Sequence, residues 1–361
     1  MKVCTALFVL LFVNPALAVD RNNFKTCDES GFCKRQRAYT APATPHYHLV
    51  ADSLVVSSDS AQFDVKNTKY DILFVVKLTG YSNGIVRVHM NEKSPIKPRY
   101  EVPPGDVVLE HQLQSKISKF SIVSQSSEAF TLSLPNTETT VKVTSPFLVE
   151  VLSGDTTVLQ LNSRGLMKFE HLRLKPESKS EPEPPADGED GEKPEGEEPA
   201  PADAESEQGE ETKPEEEEEH AMWEEKYKSH NDAKPNGPTS IGVDITFTGF
   251  EHVYGIPEHG DSFALRSTVD RDPYRLYNLD VFEYELDNGM ALYGSVPVML
   301  AHNAARTIVN RWANQSITIS FASLLPELVF DPISTNMYIP HMYHIVCTVY
   351  VCSGIILVRC G

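Results

Sequence analysis

From His48 to Arg173 apolar and polar residues follow a period of two. The segments Tyr70 to Thr79 (YDILFVVKLT), Ile85 to Met90 (IVRVHM), Thr140 to Thr144 (TVKVT) and Phe147 to Leu152 (FLVEVL) alternate or run apolar, and are rich in β-branched residues. Successive strand side chains fall on opposite faces, so each segment offers one apolar row to a core and one polar row to water. Turn signals separate them, Ser82-Asn83-Gly84 and Ser153-Gly154-Asp155 among them. Many short strands at this spacing predict an all-β chain built as a β-sandwich. His89, Lys77 and Lys142 hold polar positions in these rows and fit the wet face of a half-buried sheet. Helical periodicity is scarce.

The alternation returns in Ile241 to Phe247 (IGVDITF), after a stretch of opposite character. Residues 176–236 therefore read as a long disordered acidic insertion in one sandwich, whose first part spans 48–175 and whose second part spans 237–303. Between Glu177 and Glu219 stand 20 acidic residues against three lysines, with Pro, Gly, Ala and Ser filling most of the rest. Such a composition cannot bury enough apolar surface to offset the entropy of ordering it. A solvated spacer is the preferred reading, ahead of a weak calcium or partner site. The run carries nearly all of the formal net charge of -19, so the remainder is close to neutral and the charge says little about partners of the folded part. No basic patch suited to phosphates stands out, which argues against nucleic-acid binding.

The first 18 residues carry Lys2, the apolar run VCTALFVLLFV, the breakers Asn14 and Pro15, and Ala16-Leu17-Ala18. This is the layout of a secretory signal peptide with an A-x-A cleavage site, and the apolar run is too short to span a bilayer. Residues 19–47 follow as an amino-terminal segment. In it Cys27 and Cys33 bracket a short loop, CDESGFC, and an oxidising lumen would let them close into a disulfide. A zinc site would need a second ligand pair at finger spacing, and none is near.

The stretch from Gly249 to Pro297 differs from both strands and spacer. It packs aromatic, histidine and carboxylate side chains between glycines and prolines, a composition suited to polar-ligand loops. Sugars are recognised by carboxylates that accept bonds from hydroxyls and by aromatic faces that cover the apolar side of a ring. Three runs in it, GFEHVYGIPEH (249–259), PYRLYNLD (273–280) and MALYGSVP (290–297), closely resemble the alpha-glucosidases of glycoside hydrolase family 31 that work in the endoplasmic reticulum. The likeness covers roughly residues 19–303, and VDRNNFKTCDESGFCKRQR at the amino terminus is similar to the mature start of such enzymes. By resemblance the fold is a galactose-mutarotase-like sandwich in the lumen of the endoplasmic reticulum, the substrate is a glucosylated N-linked glycan, and the partner is a beta subunit. The resemblance makes Asp280 the substrate-binding residue; read without it, the Asn-Leu-Asp triplet is equally a turn cap. Tyr254, Glu258, His259, Tyr277 and Tyr293 are candidates to shape the same surface, although packing is the commoner fate of tyrosines.

Retaining hydrolysis needs two carboxyl groups ~5–5.5 Å apart, one the nucleophile and one the acid/base. The family places these on a (β/α)8 barrel, the nucleophile in a Trp-x-Asp-Met-Asn-like motif. Neither Trp223 nor Trp312 begins that motif. A barrel takes ~250 residues, and 58 follow Asn303. The expectation is that the barrel and both catalytic aspartates are absent, that no residue of this chain is catalytic, and that the chain does not hydrolyse glycosides alone; no metal or cofactor is implied. Residues 304–361 read as an atypical tail, truncated, spliced or intron-derived, with Cys347, Cys352 and Cys360 appearing suddenly. A tail anchor is the alternative, but Ile345 to Val358 is 14 residues, against ~20 for a helical span. Asn314-Gln-Ser316 is a formal glycosylation sequon.

Overall fold

The computed structural model describes residues 25–100, 116–175, 222–281, 283–312, 317–324, 344–352 and 355–360, with side chains to residue 310. The signal peptide, the acidic run 176–219 and Asn314 lie outside the described residues. The chain divides into two compact units, Met1–Leu172 with Pro238–Gly361, and Arg173–Gly237.

The first unit opens with a 3-10 turn (Cys27–Glu29) and helix α1 (Gly31–Ala38). A meander follows, β1 (Tyr47–Val56), β2 (Ala61–Asn67), β3 (Ile72–Tyr81) and β4 (Val86–Glu92), in which β2 and β4 alternate buried with less buried residues at every position. Next come β5 (Ile117–Ser118), β6 (Ser121–Gln125), β7 (Ala129–Ser133), β8 (Thr139–Thr144), β9 (Leu148–Ser153), β10 (Thr156–Leu161) and β11 (Lys168–Phe169). In the second unit β12 (Glu224–Tyr227) and β13 (His230–Ala233) form a hairpin. The first unit resumes with β14 (Ile241–Thr248), β15 (Val253–Gly255), β16 (Tyr274–Leu276) and β17 (Val298–His302). It continues through β18 (Thr307–Trp312), β19 (Ile317–Leu324), β20 (His344–Cys352) and β21 (Ile355–Cys360).

The described strands of the first unit form two antiparallel sheets. One runs β1-β2-β3-β4-β19-β18-β17-β15, with β5 on β3, and the other β16-β21-β20-β14-β10-β9-β8-β7-β6, with β11 on β14. Their apolar rows meet in one core: Phe63 of β2 lies edge-on to Phe130 of β7 at 5.0 Å, and both are almost fully buried. Each ring of this kind contributes roughly 3 kcal/mol through the surface it removes from water. The polar rows behave as alternation requires. Lys77 and Lys142 stay part-exposed, each near an acid, Asp59 and Glu150.

Three features depart from the pattern read along the chain. Helix α1 stands where the sequence suggests only a disulfide loop. Cys27 and Cys33 are joined with Cα atoms 5.2 Å apart, and polar bonds to distant residues hold the helix: Gln36 Nε2 donates to Ser240 Oγ at 2.8 Å and Arg35 Nε to Glu170 Oε1 at 2.8 Å. The disordered insertion expected over 176–236 does not extend through 222–236, where β12 and β13 pair. Within that unit Trp223 is buried, the Arg173 guanidinium lies over its ring, and Lys234 meets Glu225 at 2.6 Å. Finally, the segment after Asn303 does not stand apart from the sandwich. Strand β19 is the element that joins β4 to β18, and β20 and β21 carry the second sheet from β14 to β16. Antiparallel pairing supplies every backbone group between strands with a partner, so strands without an obvious sequence kinship complete the sheets. Residues 345–358 thus lie in two strands, and among the described residues no helix is long and apolar enough to cross a membrane.

Glu170 ties the amino-terminal helix to the sandwich. Burial alone would raise its pKa, but Arg35, the Ser240 hydroxyl and Lys168 outweigh that and hold it below the usual carboxylate range. A carboxylate with a depressed folded pKa contributes stability that is complete above its unfolded value, ~4.3, and is lost as pH falls through the lower folded value. Amides of 31–38 should therefore exchange faster relative to the sheet amides as pH falls below about 4. In Glu170→Gln that extra acid sensitivity should vanish, and an unchanged pH profile in the variant would assign the effect elsewhere.

Candidate functional site

The loops between Gly249 and Pro297 hang from three strands. Strand β15 pairs with β17 at the edge of one sheet, and β16 pairs with β21 at the edge of the other. The turn into the first loop needs Gly255: its φ is +109°, and a Cβ there would sit 2.4 Å from the Val298 carbonyl oxygen, so only glycine fits.

A segment at 292–294 organises the surface. Leu292 N–H donates to the Glu258 carbonyl at 3.2 Å, and Glu258 N–H to the Gly294 carbonyl at 2.9 Å. The Glu258 side chain closes the same clasp, its Oε2 accepting from Gly294 N–H at 2.7 Å. On its other side the segment holds the backbone around Asp280. Leu279 N–H donates to the Leu292 carbonyl at 2.8 Å, and the Tyr293 hydroxyl donates to the Val281 carbonyl at 2.5 Å. Asp280 is thus fixed from both neighbours while its own carboxylate is exposed, with no hydrogen-bond partner among the described residues. A held backbone with a presented acid is what a preorganised contact to a polar ligand requires, because little ordering remains to be done on binding.

A second cluster anchors the loops from beneath. Tyr274 of β16 is almost completely buried; its hydroxyl donates to Asp261 Oδ2 at 2.7 Å and accepts from Arg266 N–H at 3.0 Å. Arg266 in turn reaches Asp261 at 2.9 Å and Asp287 at 2.6 Å. Burial raises the Tyr274 pKa to about 12. For Asp261 burial acts upward, but the Tyr274 hydroxyl, Ser262 N–H and the Arg266 and Arg271 charges bring it below the usual range. His259 packs on Tyr274 with ring centres 5.1 Å apart, and burial lowers its pKa against the carbonyls of Met290 and Ile256. Its imidazole is neutral at physiological pH and is part of the scaffold.

The residues singled out from sequence therefore separate. Asp280, Glu258 and Tyr293 come together along 292–294, Glu258 as a clasp. His259 turns inward. Tyr277 is exposed, and Tyr254 is half-buried with its ring 5.0 Å from Phe263, which is 85% exposed. Sequence reading passes over Asp261, Arg266 and Tyr274, which carry the anchoring; no spacing distinguishes them from ordinary loop residues. Among the described residues no group of three or more His, Cys, Asp or Glu side chains is arranged to hold a metal ion.

A two-sheet antiparallel sandwich with polar, aromatic-rich loops at its edges is the architecture of a galactose mutarotase-like domain, and the family model agrees. The glycosyl hydrolase 31 N-terminal galactose mutarotase-like domain matches residues 75–318, and the chain belongs to that family. The match runs past Asn303 through β18. Among curated relatives, neutral alpha-glucosidase AB of Sus scrofa is 45% identical over 303 residues, covering 84% of this chain and 31% of the relative. The Homo sapiens protein of the same name is 43% identical over 303 residues, with the same coverage. The chain therefore spans about a third of the length of the relatives it matches. A crystal structure of a glucosidase II alpha subunit, bound to alpha3-Glc2, superposes with a TM-score of 0.64 at 22% identity, over 94% of this chain and 36% of that one. The catalytic subunit of an ER glucosidase II heterodimer gives 0.61 at 22% identity, over 94% and 36%. These two likenesses show the fold.

Proposed function

We propose that this chain supplies the amino-terminal sandwich and a substrate-facing loop of an alpha-glucosidase of the glucosidase II type, which trims terminal alpha-linked glucose from N-linked glycans in the lumen of the endoplasmic reticulum. The observation that carries the reading is Asp280: an exposed carboxylate whose flanking backbone is tied at Leu279 and Val281 to the 292–294 segment, in a family domain matched over residues 75–318. In this role Asp280 accepts hydrogen bonds from glucose hydroxyls, and Tyr293 and Glu258 keep it in position. This reading assigns to none of these loop residues the two carboxylates that retention requires. A beta subunit of the glucosidase II kind is the partner this reading implies, by analogy with the heterodimer. A binding module without turnover is the second reading, favoured by the exposed rings of Phe263, Tyr277, Tyr284 and Tyr293 along these loops.

One titration addresses both. The purified chain is titrated calorimetrically with an alpha-linked glucose disaccharide, alongside Asp280→Asn. A carboxylate bond to a hydroxyl contributes ~1.5–3 kcal/mol, so the variant should bind at least about tenfold more weakly. Equal affinity in both proteins would remove Asp280 from the site. Glucose release by the chain itself would replace the accessory role with a catalytic one.

A further inference from the structure

From the register of the last two strands we infer that Cys347 and Cys360 form a cross-strand disulfide that clamps the hairpin on which β16, the strand leading to Asp280, is paired. Strands β20 and β21 pair without a register shift, Cys347 opposite Cys360 and Cys352 opposite Ile355. Only two residues, Ser353 and Gly354, separate Cys352 from Ile355 in sequence. Across so short a connection the flanking pair is the hydrogen-bonded one, the first residue's carbonyl accepting from the fourth residue's N–H. Antiparallel pairs alternate between hydrogen-bonded and non-hydrogen-bonded rungs. Cys347 and Cys360 stand five rungs out from Cys352 and Ile355, which makes theirs a non-hydrogen-bonded rung.

That rung is the closer kind, with Cα atoms about 4.5 Å apart, inside the span of about 4.4–6.8 Å that a disulfide bridges. The parity also excludes the competitor. Cys352 is an odd number of residues from Cys347, so the two occupy opposite faces of β20 and cannot pair along the strand. Chemically the bond forms by exchange with a disulfide oxidant such as oxidised glutathione. One cysteine thiolate attacks it, giving a mixed disulfide and one released thiol; the other thiolate attacks the protein sulfur of that intermediate and expels the second thiol. Two electrons pass to the oxidant, and the two protons from the cysteines end on the two released thiols. The joined Cys27 and Cys33 point to a chain that meets such an oxidant.

The consequence is positional. Among the described strands β16 reaches the rest of its sheet through β21 and β20, and Asp280 follows β16 by four residues. A covalent rung at 347–360 holds that route together when the sheet edge frays.

The test is thiol mapping of the full chain after equilibration with oxidised glutathione: alkylation without reduction, proteolysis, and mass spectrometry of the peptides. Cys352 should be alkylated, while Cys347 and Cys360 should escape the label and be recovered as one linked peptide pair. Cys352→Ser should leave that link intact, and Cys360→Ser should restore full labelling at Cys347. Labelling of both Cys347 and Cys360 in the oxidised wild-type chain, or a link from either one to Cys352, would overturn the assignment.

Discussion

Replacing Arg99 with Met should lower the stability of the sandwich by about 3–5 kcal/mol, the cost of leaving a buried charge without its partner. Arg99 and Glu92 face each other with 2% and 4% of their side chains exposed, Nε to Oε2 at 2.9 Å. The guanidinium also donates to the carbonyls of Thr239 at 3.1 Å and Glu170 at 2.7 Å, and lies 4.6 Å from the Phe169 ring centre. Glu92 accepts Leu172 N–H at 2.7 Å as well. The variant strands a carboxylate, two carbonyls and a ring face at once. Surface pairs set the contrast: Lys93 meets Asp64 at 2.6 Å with 48% of the lysine side chain exposed, and Lys93→Ala should cost less than about 1 kcal/mol. Denaturant unfolding of both variants checks the ranking. The double variant Arg99→Met with Glu92→Leu should recover much of the loss, because it is the unpaired ion that is expensive. A double variant as unstable as Arg99→Met would place the cost in the Phe169 packing.

The strands were legible because burial imposes alternation on a sheet with one wet face. Ile85 to Met90, Thr140 to Thr144 and Phe147 to Leu152 fall within a residue or two of β4, β8 and β9. The same signal misleads at β14, which alternates in sequence yet is buried on both faces over most of its length. Its polar row is covered by the 162–166 turn: Asp244 is fully buried, accepting Arg164 N–H at 2.8 Å and Leu166 N–H at 3.0 Å. A pattern reports which residues share a face, and it cannot report what lies over that face. Helix α1 was illegible for a related reason. It buries Phe32, Cys33 and Gln36 on a short polar sequence, and its order comes from Glu170 and Ser240, more than 130 residues away. Its stability is tertiary, as short helices require. At the candidate site composition pointed to the right loops, but choosing Asp280 within them came from family likeness; the clasp at 292–294 depends on backbone bonds that no side-chain pattern records.

Tyr274 offers the sharpest test of those loops, because one side chain serves both packing and polarity. Tyr274→Ala removes a buried ring and should cost about 3–5 kcal/mol, loosening the loops on both sides of it. Tyr274→Phe keeps the ring and deletes one oxygen, which takes from Asp261 the donor on its Oδ2, leaving it Ser262 N–H and Arg266, and leaves Arg266 N–H without its acceptor. A buried group left unpaired costs about 1–3 kcal/mol, and a carboxylate that keeps other donors loses less than that. The two losses differ in pH dependence. Tyr274 keeps its proton up to about 12, so below that Asp261 is the partner that titrates. Its folded pKa is depressed, partly by the Tyr274 hydroxyl, so that bond contributes in full above the unfolded value of ~3.9 and fades as pH falls through the folded value. The stability gap between wild type and Tyr274→Phe should accordingly be widest near neutrality and narrow at acid pH, leaving the Arg266 N–H loss. Denaturant unfolding at pH 7 and at a pH near 3 separates the two contributions. A gap of the same size at both would mean that the hydroxyl acts through packing or through Arg266 alone, and that Asp261 owes its low pKa to Ser262 N–H and the arginines.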